Sequence, residues 1–167
     1  DDARARDILE GITGRIHSIA LLHERLSRLE PGVPIRADEY VHAVSESSQT
    51  ELIRIESKIE PIELESGLAL PLGMVVNELV TNAVRHAFPR ERAGTVRVTL
   101  ECCAAGVVQL TVADDGVGMS APESAAPVSH QGLGTSIIEA LVQQLRGELR
   151  YQQAGGTVVT LRFPLTR

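Results

Sequence analysis

Two stretches of the chain repeat apolar residues every three or four positions, which is the spacing of one helix face. Residues 2–29 carry a single apolar stripe, which predicts an amphipathic helix about 40 Å long that packs in a bundle or dimer. In residues 73–89 apolar residues cover most of the helix surface, so we expect a buried helix there. This second helix begins near Ser66 or Leu70, with Pro71 tolerated in its first turn.

Alternation of apolar and polar residues predicts the strands of a sheet. Two strands joined at Ala105-Gly106 form a hairpin, and two more form a last hairpin that turns at Gly155-Gly156. The predicted strands are residues 51–59, 62–64, 95–103, 107–115, 148–153 and 157–164.

Short helices and a long loop connect these strands. Asp38 can cap a helix that runs to about residue 49, and residues 135–145 form another helix that ends at Gly147. Residues 119–131 contain few bulky apolar residues and many Ser, Ala and Pro, which is typical of a mobile loop.

Prolines and glycine at positions 31–34 mark a linker, and they divide the chain. We expect residues 1–30 to be a helical dimerisation region, residues 31–50 a linker with a short helix, and residues 51–167 the main domain. The first residue is Asp1 rather than Met, so we expect the chain to be part of a longer protein.

The composition narrows the possible partners of the domain. Sixteen basic and 22 acidic residues give a net charge of −6, which argues against a nucleic-acid-binding surface. No uninterrupted apolar run reaches the roughly 18 residues of a membrane span, so we expect no membrane segment. The only cysteines, Cys102 and Cys103, are adjacent in a predicted strand and point to opposite faces, as expected of small apolar residues in a reduced cytoplasmic protein.

The buried helix carries polar residues on one face. Glu78, Asn82, Arg85 and His86 stand at positions i, i+4, i+7 and i+8 of the predicted helix. Burying such groups costs free energy unless they are satisfied, by water, by protein, or by a ligand that carries metal and phosphate. An Asn beside a carboxylate suits Mg²⁺, which prefers a few protein oxygens together with phosphate and water.

Two glycine-rich segments follow this helix. Asp114-Asp115-Gly116-Val117-Gly118 follows an apolar strand, where an Asp at the strand end can accept a hydrogen bond from a flat ring. Gly132-Leu133-Gly134 opens a predicted helix, whose free backbone N–H groups suit phosphate. Each motif alone is common in turns and helix starts, so their order along the chain carries the functional prediction.

The three motifs together resemble those of one superfamily. NELVTNAVRHAF is similar to the N box, ADDGVGM to the first glycine box, and QGLGTSII to the second, of the GHKL ATPases, which include gyrase B, MutL and histidine kinases. GGTVVTLRFPL resembles the terminal strand segment of histidine kinases, so the resemblance covers residues 51–165. RIHSIALLHERL resembles the second dimerisation helix of a sensor-kinase branch close to the HWE kinases. The diagnostic Trp of that group is absent and its N-box His is replaced by Asn77, so we favour the sister branch.

The resemblance implies a fold and a set of roles. The fold is an α/β sandwich whose mixed, mainly antiparallel sheet is covered on one face by helices. Glu78 would orient water or polarise the transfer, and Asn82 would bind Mg²⁺. Arg85 and His86 would lie beside the phosphates of ATP, and Asp114 would accept from the adenine amino group. The remaining implied nucleotide contacts are Gly116, Gly118, Gly132, Leu133, Gly134 and Thr157.

The implied activity is that of a histidine kinase fragment. It would bind Mg-ATP and transfer the γ-phosphoryl group to a His on a dimerisation helix upstream of this chain, for relay to an Asp of a response regulator. The parent would be a homodimer, and His17 and His23 are expected to be packing or solvated residues rather than acceptors. The alternatives are another GHKL member, such as an anti-sigma serine kinase or an ATPase, and a nucleotide-binding interaction module without transfer activity.

Overall fold

The computed structural model describes residues 20, 34–46, 48–90, 92–103, 106–118 and 133–165. Of the predicted N-terminal helix only Ala20 is included, and it is helical. The rest of that helix with its two histidines, the whole loop predicted at 119–131, and Gly132 lie outside the described residues.

Five strands form one mixed sheet, in the order β2-β4-β5-β7-β6. The pair β2–β4 is parallel and the other three pairs are antiparallel, which confirms the predicted mixed, mainly antiparallel sheet. Two further strands, β1 and β3, pair with each other in a separate antiparallel ribbon. The strand β3 lies within the one predicted at residues 62–64, whereas β1 was not predicted. The strands are β1 Ile35–Arg36, β2 Ile53–Ile59, β3 Glu63–Leu64, β4 Gly94–Cys103, β5 Val107–Asp114, β6 Glu148–Gln153 and β7 Thr157–Pro164.

Three described helices cover one face of the sheet. On β5, Val108, Leu110 and Val112 are buried under the helices, whereas the residues between them are half-exposed. The same alternation continues on the neighbouring strands, so the core lies between sheet and helices as predicted. The helices are α1 Ala37–Glu46, α2 Ser66–His86 and α3 Leu133–Gln144.

The central element of the core is α2. It packs against α1, α3, β4 and β5, and its residues from Leu68 to Val80 are almost all buried. By length and composition Gly67–His86 would suffice to cross a membrane, although polar residues interrupt it. Most of this segment is buried inside the protein, as expected for a core helix.

Helix α2 begins at Ser66, one of the two predicted starts, but the place of Pro71 and the start of α1 differ from the prediction. Because α2 begins at Ser66, Pro71 lies inside the helix rather than in its first turn. Helix α1 begins at Ala37, so Asp38 lies in the first turn instead of capping it, and the helix ends at Glu46. The Asp38 carboxylate accepts two hydrogen bonds from the Arg36 guanidinium, and this pairing lowers the pKa of Asp38.

The residues before β2 share the core of the main domain. Ile35, Tyr40 and Val41 are buried in the same cluster as the sheet residues. Packing is therefore continuous across the boundary that the sequence places at residue 51.

Candidate functional site

The site begins where the buried row of β5 ends. After Val112 the next position on the covered face is Asp114, whose residue is only 9% exposed. Its Oδ1 accepts hydrogen bonds from the backbone N–H of Gly116 (3.0 Å) and of Thr157 (3.1 Å). The second carboxylate oxygen makes no hydrogen bond to any described residue. A buried carboxylate thus has one oxygen fixed by the protein and one available to a donor.

Glycines surround this carboxylate closely. A Cβ on Gly116 would collide with the carbonyl of Ala87, and one on Gly156 with the backbone of Asp114. Gly118 has φ +74°, and a Cβ there would lie 2.9 Å from Nε2 of Gln153. Side chains at Gly116 and Gly156 would collide with backbone atoms, so only glycines let the end of α2, this segment and the turn before β7 pack so closely around Asp114.

One end of α2 is joined to this glycine segment. The N–H of Val117 donates to the carbonyl of Ala87 at 2.9 Å, directly after the last helical residue. The polar stripe of α2 therefore ends beside the segment that follows Asp114.

Burial along the stripe decreases towards that end. Glu78 is only 5% exposed, Asn82 is half-buried, and Arg85 and His86 are exposed. The cost of burying polar groups therefore applies to Glu78 and partly to Asn82, and not to the two basic residues. Arg85 and His86 stand in the last turn, where the helix dipole favours positive charge.

The second glycine motif is described only in part. Leu133 and Gly134 are the first two helical residues of α3, which packs against α2. Gly132 lies outside the described residues, and the expected phosphate contacts of this motif stay predictions.

The available donors fit a magnesium ion held mainly by phosphate. Among the described residues no three His, Cys, Asp or Glu side chains form a metal-binding group. Mg²⁺ does not need such a cage, because one or two protein oxygens suffice when phosphates and waters supply the rest. The carboxylate of Glu78 and the amide oxygen of Asn82 lie one helical turn apart and offer this small donor set.

Other residues with potential metal-binding or reactive side chains lie away from this site. The ring of His42 contacts the Ser57 hydroxyl and the Glu46 carboxylate on the surface. Cys102 and Cys103 are unbridged, at the end of β4.

Three residues of the site were missed by sequence reasoning. Gly156 and Gln153 contact the segment 114–118 from the hairpin between β6 and β7. Asp115, within the segment, accepts a hydrogen bond from the N–H of Thr95. The available signal was the Gly-Gly pair directly before Thr157, which we interpreted only as a turn. This turn reaches β5 only because β7 pairs with β5, and the spacing of neighbouring residues in the sequence does not predict that pairing.

One protein family matches most of the chain. The family described as "Histidine kinase-, DNA gyrase B-, and HSP90-like ATPase" matches residues 67–167, a range that includes every predicted site residue.

Individual proteins show the same similarity. The sensor histidine kinase PdtaS of Mycobacterium tuberculosis is 33% identical over 175 residues, which cover 99% of this chain and 34% of PdtaS. The anti-sigma F factor of Heyndrickxia coagulans is 33% identical over 96 residues, covering 53% of this chain and 64% of that protein. The chain spans 34% of PdtaS and 48% of the blue-light-activated histidine kinase 2 of Erythrobacter litoralis.

A solved structure supports the fold. The histidine kinase domain of the Erythrobacter litoralis EL346 blue-light activated histidine kinase has a TM-score of 0.76 and 24% identity to this chain. The similarity covers 92% of this chain and 74% of that domain.

Proposed function

The chain belongs to the family of histidine kinase-, DNA gyrase B- and HSP90-like ATPases, and we propose that it binds Mg-ATP at the end of β5 as the catalytic part of a sensor histidine kinase. The observation that carries this proposal is the buried carboxylate of Asp114, which keeps one oxygen without a partner among the described residues, next to closely packed glycines. The exocyclic amino group of adenine is a donor of the kind that this oxygen requires. The glycines allow the ring to approach the backbone.

The stripe on α2 supplies the groups for the phosphate end of the nucleotide. Asn82 would hold Mg²⁺, Arg85 would neutralise phosphate charge with His86 beside the phosphates, and Glu78 would orient the reacting groups. When bound, Mg²⁺ neutralises charge on the β- and γ-phosphates, which is its usual contribution to phosphoryl transfer. Gly132, Leu133 and Gly134 add backbone N–H groups at the start of α3.

The transfer itself needs little covalent chemistry from this chain. Phosphoryl transfer depends mostly on positioning and on stabilising charge, and both are provided by a site that holds the nucleotide rigidly. The acceptor in our proposal is a His on a dimerisation helix upstream of Arg15 in the parent protein. Its phosphoryl group then passes to an Asp of a response regulator, within a cytoplasmic homodimer.

Binding is tested by calorimetric titration of Mg-ATP into the chain and into Asn82→Ala. We expect the variant to lose detectable Mg-ATP binding, because the proposed magnesium ligand is removed. Val84→Ala is a control, since Val84 is also half-buried in α2, two residues from Asn82, but lies off the polar stripe. Removing Mg²⁺ with a chelator should lower the affinity of the wild-type protein towards that of the variant. Unchanged Mg-ATP affinity in Asn82→Ala would contradict the proposed role.

A second candidate is a serine kinase of the anti-sigma type. The 33% identity to the anti-sigma F factor favours it, over about half of this chain. The two candidates differ in the product, because phosphohistidine is labile in acid and phosphoserine is stable.

Incubating the full-length parent with labelled ATP separates these candidates. Acid-labile label on the parent supports the histidine kinase, and acid-stable label on an added protein substrate supports the serine kinase. Binding of ATP without label on any protein would support an interaction module instead.

A further inference from the structure

The glycines that make the site accessible also make it costly to order. The segment from Asp114 to Gly118 contains two glycines in five residues, and glycine loses more backbone freedom on ordering than any other residue. A nucleotide that binds a loose segment must provide this ordering free energy from its own contacts. The segment would therefore bind best if other parts of the protein fixed it beforehand.

Hydrogen bonds hold the segment in place on the side that faces away from the β6–β7 hairpin. The Asp115 carboxylate accepts a hydrogen bond from the N–H of Thr95 at 2.8 Å, and the Asp115 N–H donates to the Thr95 carbonyl at 3.3 Å. The Arg92 guanidinium donates to the Asp115 carbonyl at 2.9 Å. We call this set of three residues the Asp115 junction.

The junction is part of a tightly packed corner. A Cβ on Gly94, at the start of β4, would collide with the ring of Phe88 and lie 2.8 Å from Oδ1 of Asp115. Phe88 is buried, and the chain beside it passes directly from α2 through Ala87. The corner therefore connects the end of α2, the start of β4 and the glycine segment.

With the junction in place, three consecutive backbone N–H groups of the segment are bonded. That of Asp115 donates to Thr95, that of Gly116 to the Asp114 carboxylate, and that of Val117 to the Ala87 carbonyl. Asp115 and Arg92 are both exposed, so their hydrogen bonds contribute little to the stability of the core. All three hydrogen bonds of the junction attach to Asp115, within this segment.

We propose that Asp115 and Arg92 are positioning residues for nucleotide binding, because they hold the Asp114–Gly118 segment in its binding conformation before the ligand arrives. Neither residue needs to touch the nucleotide. The inference rests on the proposed ATP-binding function and adds two residues to it that act through the backbone of Asp114 and its neighbours.

The test compares Asp115→Ala with Asp115→Asn. The Asn side chain keeps an acceptor oxygen for the Thr95 N–H, whereas Ala removes it. We expect ATP affinity to fall about tenfold in Asp115→Ala, because the nucleotide must then supply the free energy of ordering about one residue. In Asp115→Asn the affinity should stay within about twofold of wild type. Equal weakening in both variants would assign the effect to charge and overturn the proposal.

Amide hydrogen exchange without nucleotide provides a second measurement. Exchange at Gly116 and Val117 should accelerate in Asp115→Ala and stay as in wild type in Asp115→Asn, because only the first variant loosens the segment. Unchanged exchange at these two amides in Asp115→Ala would overturn the proposal whatever the affinity.

A matched control removes a similar bond away from the site. The Thr50 hydroxyl accepts from the N–H of Ile53 at 3.0 Å, at the start of β2, as Asp115 does at the start of β4. Thr50→Val should cost comparable stability and leave ATP affinity unchanged. If Thr50→Val weakens ATP binding as much as Asp115→Ala, the effect is general destabilisation and the proposal fails.

If Asp115→Ala does not fold, Arg92→Ala provides the test instead. This variant removes only an exposed side chain and its bond to the Asp115 carbonyl, and we expect about threefold weaker ATP binding. Wild-type affinity in a folded Arg92→Ala would overturn the proposal for this residue. If the wild-type chain itself binds no ATP, the proposed function fails; if it binds and the junction variants bind equally well, only this inference fails.

Discussion

Polar side chains on the two faces of the sheet differ in whether their hydrogen-bonding groups are all paired within the protein. On the solvent face, Gln109 of β5 donates to Glu101 at 2.9 Å and accepts from Arg162 at 2.7 Å, so its amide is bonded on both sides. On the covered face the row of β5 is aliphatic until Asp114, whose carboxylate keeps one oxygen without a described partner.

This difference separates structural polar groups from those available to a ligand. The solvent-face groups satisfy each other across strands, as expected for a sheet with one face in water. Asp114 is carried to the covered face by the alternation that buries Val108, Leu110 and Val112. It stands at the end of that row, where glycines let the end of α2 and the β6–β7 turn pack closely against the end of β5.

The largest effect on stability should come from truncating the covered row. Leu110→Ala removes a fully buried side chain and should lower the free energy of unfolding by about 2–5 kcal/mol. Gln109→Ala, one residue earlier on the solvent face, should cost about 1 kcal/mol or less. Urea denaturation of the two variants measures both values, and equal losses would contradict the assignment of the faces.

A smaller effect is expected at a buried hydroxyl on the covered side. Tyr40 is 4% exposed, its ring lies against Gly73 of α2, and its hydroxyl is the one buried side-chain polar atom without a partner in the described part of the chain. Burial raises the pKa of Tyr40 above its usual value near 10. At neutral pH, Tyr40→Phe should change the free energy of unfolding by less than about 1 kcal/mol, because no hydrogen bond is lost.

The pH dependence sharpens this prediction. The folded state favours the neutral form of Tyr40. Its contribution to the free energy of unfolding is therefore complete below pH 10, and is lost as the pH rises above the pKa that Tyr40 has in the unfolded chain. Above pH 10, Tyr40→Phe should therefore become more stable than wild type by about 1.4 kcal/mol per pH unit. Urea denaturation at pH 8 and pH 11 measures the difference, and parallel losses in both proteins would show that another group controls alkaline stability.

Much of the fold was predictable because its signals are periodic. The strands β2 and β4 to β7 and the helix α2 have long, regular patterns, and the structure places them within a few residues of the prediction. The strand β1 was missed because a strand of two residues carries no period, whereas β3 lies within the strand predicted at residues 62–64. Asp38 was assigned as a cap because the sequence does not record that Arg36 competes for its carboxylate.

The candidate site was predictable only where its residues are neighbours in sequence. Asp114, Gly116 and Gly118 form one segment, and the stripe on α2 follows helical spacing. The hydrogen bond from Thr157 to Asp114 and the contact of Gly156 join residues about forty positions apart, through the pairing of β5 with β7. The roles of the individual residues towards ATP stay predictions.

The central claim is that the available oxygen of Asp114 recognises the nucleotide. Asp114→Asn keeps an acceptor for the N–H groups of Gly116 and Thr157 but places an amide NH₂ where the second oxygen stood. The most direct measurement is a calorimetric titration of Mg-ATP into wild type and Asp114→Asn, with the folded state of each confirmed by urea denaturation. We predict near wild-type stability and a loss of about 2–3 kcal/mol in binding, which is about 30- to 140-fold in Kd. Equal affinity in the two folded proteins would contradict the account.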